Sequence, residues 1–341
     1  MLKKYLPGPG YKQGGIAAIF SGNSWYEKSL LSWVMWPLSG LYQAAMSARY
    51  FLYYSGIKKT VRFPVPVLIV GNITVGGTGK TPLTIALANW LKQQGKRPGI
   101  VSRGYGGSDI NSPQIVKSDS DPKRVGDEAV FMAQATGCPL VVAKRRPQAV
   151  AKLLQDYPCD IIISDDGLQH LALGRDLEIA VMDGMRRLGN GFCLPAGPLR
   201  EPSQRLQTVD FIVCNGQGKP GEWSMTLIPK EIYQLKDPTQ KLSIEKLKDK
   251  TVHAIAGIGN PERFFLTLQG LGLNIIPHAF PDHYRFKKQD LDFGSESIII
   301  MTEKDGVKCR SFADNNHWAL QVRAELPDLF FKKVYSRLFR S

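Results

Sequence analysis

Short apolar runs alternating with amphipathic helical stretches predict an α/β fold: a parallel sheet covered by helices on both faces, followed by a second, smaller α/β domain. Three observations carry this expectation. The strand–helix alternation begins at residue 65 and continues for some 150 residues. A glycine-rich loop joins its first strand to its first helix. A polar Gly- and Pro-containing break at residues 215–222 interrupts the pattern, which then resumes.

The elements follow in order. Residues 29–48 carry no formal charge and include Trp33, Met35, Trp36, Leu38, Leu41, Tyr42 and Met46. Their number is enough for a bilayer span. Pro37, Ser39, Gly40, Gln43 and Ser47 dilute the stretch, and Pro37 is expected to break or kink a helix. Tyr50, Phe51, Tyr53 and Tyr54 follow, then Lys58, Lys59 and Arg62. Aromatic rings favour the headgroup layer and basic side chains favour anionic lipid, so the segment reads as interfacial. A helix packed on the protein's own core and a true span are the alternatives. No apolar run and cleavage site follow Met1-Leu2-Lys3-Lys4, so no signal peptide is expected.

Residues 65–70 are a β-branched run and read as a buried strand, and residues 82–94 read as a helix through Leu83, Leu87, Trp90 and Leu91. Pro82 falls in the first turn, where proline is tolerated. Further strands are expected at 99–102, 140–143, 161–164, 177–182 and 211–214, with helices around 127–135 and 146–155. Beyond the break come strands at 252–256, 274–279 and 297–301 and a helix near 261–269. The expected domains are a membrane-facing segment (1–60), a core (61–218) and a smaller C-terminal α/β domain (219–341).

Composition narrows the partners. The 341 residues are 43% hydrophobic and 22% charged, sufficient for a packed core. Forty-four Lys and Arg against 30 Asp and Glu give a net charge of +14, which favours anionic partners: nucleic acid, a membrane surface or phosphorylated substrates. Zinc-finger spacing and RNA-recognition aromatic motifs are absent, so charge alone supports nucleic acid. The five scattered cysteines contain no C-x-x-C pair, which argues against a disulfide framework or structural zinc.

The loop Thr74-Val75-Gly76-Gly77-Thr78-Gly79-Lys80-Thr81 carries the chemistry. Glycines let successive N–H groups turn inward on phosphate oxygens, and the following helix adds its positive end. Lys80 is expected on the outer phosphates and Thr81 on Mg²⁺. This is a P-loop NTPase-like arrangement that departs from the strict pattern at Thr74, where glycine is usual. Residues 161–166 form an apolar strand ending in Asp165-Asp166, as a metal-holding element requires, and lie where strand ends gather ligands. Asp127 and Glu128 open a helix; spacing alone reads them as a cap and a first-turn acid.

Other dense polar stretches are residues 102–107 with Arg103 and Tyr105, 194–202 with Arg200 and Glu201, 280–284 with His283, and 302–305. Together, residues 71–72, 75–82, 102–107, 125–128, 165–170, 182–184, 194–202, 256–259, 280–284 and 302–308 resemble one family, the tetraacyldisaccharide 4′-kinases of lipid A biosynthesis. Ala129 and Gly306 depart from its usual proline and alanine.

The resemblance implies a kinase moving the γ-phosphate of ATP to the 4′-hydroxyl of a tetraacylated glucosamine disaccharide 1-phosphate, in a cleft between two α/β domains. It implies Asp127 as catalytic base, supported by His283, with Lys80 on the phosphates. Thr81, Asp165, Asp166 and Glu201 would form the Mg²⁺ environment. Arg103, Tyr105, Glu128, Gln169, His170 and Arg200 would face the substrate. The implied setting is the cytoplasmic face of the inner membrane, met through the N-terminal segment, with no obligate protein partner. A nucleotide-switch protein, a GTPase or maturation ATPase, is the alternative; Thr302-Glu303-Lys304-Asp305 has its lysine out of register for guanine recognition.

Overall fold

The computed structural model describes Trp25 and residues 27–294 and 296–339; the first 24 residues of the expected membrane-facing segment lie outside them. Its elements run α1 (Leu30–Tyr54), β1 (Val67–Gly71), α2 (Lys80–Gln93), β2 (Pro98–Ser102), β3 (Gln114–Val116), a helical turn (Pro122–Val125), α3 (Asp127–Thr136), β4 (Leu140–Val142), α4 (Arg146–Asp156), β5 (Ile161–Asp165), β6 (Leu177–Asp183) and β7 (Phe211–Asn215). The second part comprises β8 (Trp223–Gln234), β9 (Lys241–Leu242), β10 (Thr251–Ala256), α5 (Pro261–Gly270), β11 (Asn274–Ala279), β12 (Ile299–Thr302), α6 (Glu303–Cys309), β13 (His317–Glu325) and α7 (Asp328–Leu338).

The strands lie in the order β11-β10-β12-β13-β8-β7-β6-β1-β5-β2-β4-β3, with β9 beside β8. In the first unit β7, β6, β1, β5, β2 and β4 are parallel, and β3 closes the edge antiparallel to β4. Parallel strands need both faces covered. Leu68 and Val70 of β1 accordingly enter one core with Leu83, Leu87 and Leu91 of α2, whereas Val67 and Ile69 enter the opposite core with Ala149, Val150 and Leu153 of α4. Each fully buried Leu or Ile stabilises the fold by about 1.5–3 kcal/mol.

The second unit has its own parallel strands, β11, β10, β12 and β13. β8 joins the two units: residues 223–225 pair parallel with β7, and residues 226–234 run antiparallel to β13. The chain then returns. Phe330, Phe331, Val334 and Leu338 of α7 enter the first unit's core, with Phe331 stacked on Trp90 at 5.5 Å.

Helix α1 corrects one expectation. It runs unbroken through Pro37 to Tyr54, after a start capped by Ser29 and Ser32. The first unit supplies the reason the helix persists. Ser39 Oγ donates to Cys193 O (2.6 Å) and accepts from Ala196 N (3.2 Å), and Tyr42 donates to Arg200 O (2.8 Å). Leu30, Trp33, Val34, Trp36, Leu38, Leu41 and Phe51 remain exposed. Among the described residues no helix is long and apolar enough to cross a membrane.

Candidate active site

The glycine loop begins where β1 ends and finishes at the first turn of α2. Gly76 and Gly79 have φ of +101° and +100°, a region that side chains with a Cβ rarely enter. At Gly79 a Cβ would also lie 2.6 Å from Asn215 Nδ2. Asn215 Nδ2 donates to Thr78 O (3.1 Å), and Asn72 Nδ2 donates to Thr78 Oγ1 (3.3 Å). Thr74 is buried and pairs antiparallel with Leu199, while Val75 N donates to Pro198 O (2.8 Å). That strand-like pairing needs no positive φ, which accounts for threonine where the strict pattern has glycine.

β5 lies beside β1 with Asp165 opposite Val70, so the paired carboxylates emerge next to the loop. Asp165 is buried. Thr84 Oγ1 donates to its Oδ1 (3.0 Å), and Oδ2 has no hydrogen-bond partner among the described residues. Burial first, then the charges of Glu128 and Asp166, push its carboxyl up to about 7. Asp166 has φ +48° and is held by Arg200 Nη1 (3.1 Å) and Lys80 Nζ (3.6 Å). Against the cost of burial, those two cations keep it well below the usual carboxylate range. Beneath the pair, buried Arg146 donates to Asp165 O (3.0 Å) and Ala143 O (3.2 Å), fixing the strand end.

The neighbouring polar residues divide. Gln169 donates to Asn72 O (3.0 Å) and to Glu201. His170 is driven to about 3, by burial first and then by the positive charge of Arg146, and is neutral near pH 7. Arg103 is exposed. Glu201, expected beside a metal, is buried with both oxygens engaged: Oε2 by Tyr50 and by Arg205 Nε (3.3 Å), Oε1 by Gln169. Its carboxylate braces α1 against the 194–202 loop.

Asp127 and His283 meet although 156 positions separate them. Gly126, with φ +93°, turns the chain so that Asp127 is the first residue of α3 and is buried. Asp127 Oδ1 accepts from Glu128 N (2.9 Å), so it is not a solvated cap. His283 Nδ1 stands 3.0 and 3.2 Å from the two carboxylate oxygens, and the Tyr105 ring packs on the imidazole at 4.7 Å. His283 has φ +59°, an unusual conformation for histidine. Burial raises the Asp127 carboxyl, but the His283 hydrogen bond and then the charge of Lys304 outweigh it and bring the group down to about 2. For His283 burial lowers and the Asp127 hydrogen bond raises; the balance is upward.

The second unit supplies more than this histidine. Lys304 Nζ lies 2.9 Å from Glu128 and 3.0 Å from Asp282, and Lys308 Nζ lies 3.8 Å from Asp127 and 2.7 Å from Asp305. Sequence reasoning noted the stretch containing Lys304 and Lys308 without assigning either; the i, i+4 spacing behind Thr302, which caps α6, was the available signal. Gly259 backs onto the glycine loop, where a Cβ would come 2.4 Å from Gly77 N, and its carbonyl accepts from Arg186 (2.8 Å). The site therefore has the glycine loop and the paired aspartates of the first unit on one side, closed over by loops of the second.

Known proteins resemble this chain over most of its length. The family model for tetraacyldisaccharide-1-P 4′-kinase matches residues 31–338. A tetraacyldisaccharide 4′-kinase of Nitrosococcus oceani is 51% identical over 314 residues, covering 92% of this chain and 93% of that protein. One from Coxiella burnetii is 53% identical over 307 residues, covering 90% and 91%. The crystal structure of LpxK from Aquifex aeolicus in complex with ATP superposes with a TM-score of 0.77 at 29% identity, covering 91% of this chain and all of that one.

Proposed function

The chain belongs to the tetraacyldisaccharide-1-P 4′-kinase family, and from that premise we propose how its own residues perform the transfer. The reaction is ATP-dependent phosphorylation of the 4′-hydroxyl of a tetraacyldisaccharide 1-phosphate. ATP lies with its phosphates along Thr74–Thr81, gripped by backbone N–H groups and by Lys80. Asp127 faces the acceptor hydroxyl.

A carboxylate held near 2 is a weak base, but the transition state of phosphoryl transfer is loose and the alcohol keeps its proton until late. Asp127 acts first by accepting the hydroxyl's hydrogen bond and aiming its oxygen, then by taking the proton as the new P–O bond forms. His283, hydrogen-bonded to the same carboxylate, fixes its orientation and stabilises its charge. Arg103, Tyr105, Glu128, Gln169, His170 and Arg200 line the acceptor side.

Mg²⁺ fits the donor set. Asp165 Oδ2 is a buried carboxylate oxygen without a hydrogen-bond partner among the described residues, at a strand end beside the phosphate loop. Mg²⁺ is commonly held by one or two carboxylates together with substrate phosphates. Asp165, Asp166 and the Thr81 hydroxyl would hold it, and Glu201 acts instead as a brace. When bound, the ion supplies charge neutralisation on the phosphates.

Residues 61–218 form the kinase core and residues 219–341 the smaller domain, whose last helix docks back on the core. The exposed apolar face of α1, with exposed Lys58, Lys59 and Arg62 after it, contacts the anionic cytoplasmic face of the inner membrane, where a tetraacylated substrate resides.

The observation that carries this reading is the Asp127–His283 pair, assembled from both units. Asp127→Asn tests it: turnover is expected to fall by about 100-fold or more with ATP affinity within about threefold. Equal losses in both would assign Asp127 to nucleotide positioning. The nucleotide-switch alternative, kept open by the loop's departure at Thr74, is not favoured by the family match. In residues 302–305, already out of register for guanine, Thr302 is a helix cap and Asp305 is buried on Gly257 N (2.9 Å).

A further inference from the structure

One ammonium group connects the sequence neighbours of both members of the dyad. Lys304 Nζ stands 2.9 Å from Glu128 Oε1, next in sequence to Asp127, and 3.0 Å from Asp282 Oδ1, next in sequence to His283. Its side chain is only 14% exposed, so the contacts are made with little competing water.

The lysine is itself firmly set. Thr302 Oγ1 accepts from Asp305 N (3.1 Å), Glu303 Oε2 accepts from Val322 N (3.1 Å), and Asp305 Oδ2 accepts from Gly257 N (2.9 Å). The cap residue Thr302 and the α6 residues Glu303 and Asp305 are thus tied within the second unit, and Lys304, between them, reaches across to the first.

We propose that Lys304 is a positioning residue for the phosphoryl transfer, an inter-unit bridge that holds Glu128 and Asp282 on one cation and thereby sets His283 against Asp127. The physical argument is electrostatic. Without the ammonium, Glu128 and Asp282 would face each other as two carboxylates with no cation between them, and their repulsion would act along the line that separates the units. His283 leans on Asp127 from the same loop as Asp282, so it would withdraw with it. The remaining charges facing the dyad are Lys308, which already serves Asp305, and the two carboxylates themselves. None can replace the bridge. Lys304 makes no hydrogen bond to the phosphate loop or to Asp127; its position acts through Glu128 and Asp282, and its charge also lowers both dyad members across the intervening space.

The proposal rests on the dyad reading above, and the experiment separates the two. Steady-state kinetics are measured on the full chain for Lys304→Met, Lys304→Arg, Asp127→Asn and the Lys304→Met/Asp127→Asn double variant. Lys304→Met is expected to lower kcat by about 100-fold while KM for ATP changes by less than about threefold. Its acid limb of kcat should move to higher pH, because the lysine's charge holds both dyad members down. Lys304→Arg, which keeps the cation, should recover at least about a tenth of parent kcat. In the Asp127→Asn background the Lys304→Met substitution should cost less than about threefold, since its target is already gone.

Lys304→Met activity within threefold of the parent would overturn the proposal. So would an undiminished further loss in the Asp127→Asn background, or a lower kcat with an unmoved acid limb. If Lys304→Met loses its cooperative melt, Asp282→Asn removes one arm of the bridge and carries the same comparison, with the same outcomes. Parent-like turnover in Asp127→Asn would instead overturn the dyad reading itself.

Discussion

Asp127 and His283 each shift the other's charge equilibrium, and the shifts fix how the pair responds to pH. Asp127, held at about 2 against an ordinary 3.8, contributes stability that is complete above pH 3.8 and is lost as pH falls through 2. His283 is raised above its ordinary 6.5, so its contribution is complete below pH 6.5 and fades as pH rises through the higher folded value. The pair therefore stabilises most between about pH 4 and 6.5. The melting-temperature gap between the parent and His283→Gln should be widest in that window and narrow on either side; a gap flat from pH 4 to 9 would contradict the pairing. At this scale the sequence exposed what is contiguous. Lys80, Thr81, Asp165 and Asp166 sit in local patterns whose chemistry is visible by spacing. Arg146 and Lys304 do not, because their partners are brought by folding: a buried guanidinium under a strand end, and a lysine whose two carboxylates lie 176 and 22 positions away. Spacing read Asp127 as a mere cap for the same reason, and the role of base came to it only through the family resemblance.

Among the elements, β1, β5 and α2 were legible because each is a buried apolar run or a regular helical stripe beside a turn signal. β8 and β13 escaped notice. Both are amphipathic strands with scattered charges, and β8 contains Pro229. α7 escaped too, although Phe330, Phe331, Val334 and Leu338 have helical spacing; its partner surface belongs to residues some 240 positions earlier. Pro37 marks where a local rule yields to packing, since Ser39 and Tyr42 hold the helix just beyond it. The contact between the Gly259 loop and the glycine loop has little room, because a Cβ at 259 meets backbone and not a movable side chain. Gly259→Ala should weaken ATP binding by about tenfold while leaving the melting temperature within a few degrees, measured by nucleotide titration and thermal unfolding. Unchanged ATP affinity would show that the second unit's loop does not govern the phosphate side.

Across the molecule, the two units share one sheet through β8, exchange α7, and interlock at the site through His283, Lys304 and Gly259. The break at 215–222 was legible from its Gly and Pro content, but the continuity of the sheet across it was not, since strand pairing across a boundary leaves no composition signal. On the outer side, α1 presents Leu30, Val34, Trp36, Leu38, Leu41 and Phe51 outward, while Ser32, Ser39, Tyr42 and Tyr50 face the first unit. A triple change of Trp36, Leu38 and Leu41 to serine leaves those inner contacts in place. It should reduce co-sedimentation with phosphatidylglycerol vesicles by about tenfold or more, with the melting temperature little changed. Parent-like sedimentation would reject α1 as the membrane contact.

The most direct measurement of the whole arrangement follows the radiolabelled γ-phosphate of ATP onto a tetraacyldisaccharide 1-phosphate, with the labelled position determined on the product. The parent should place label on the 4′-oxygen, and Lys80→Ala, folded by its melt, should place at least about 100-fold less there at saturating acceptor. Transfer by Lys80→Ala within a few-fold of the parent would contradict the assignment of the glycine loop as the seat of the phosphates.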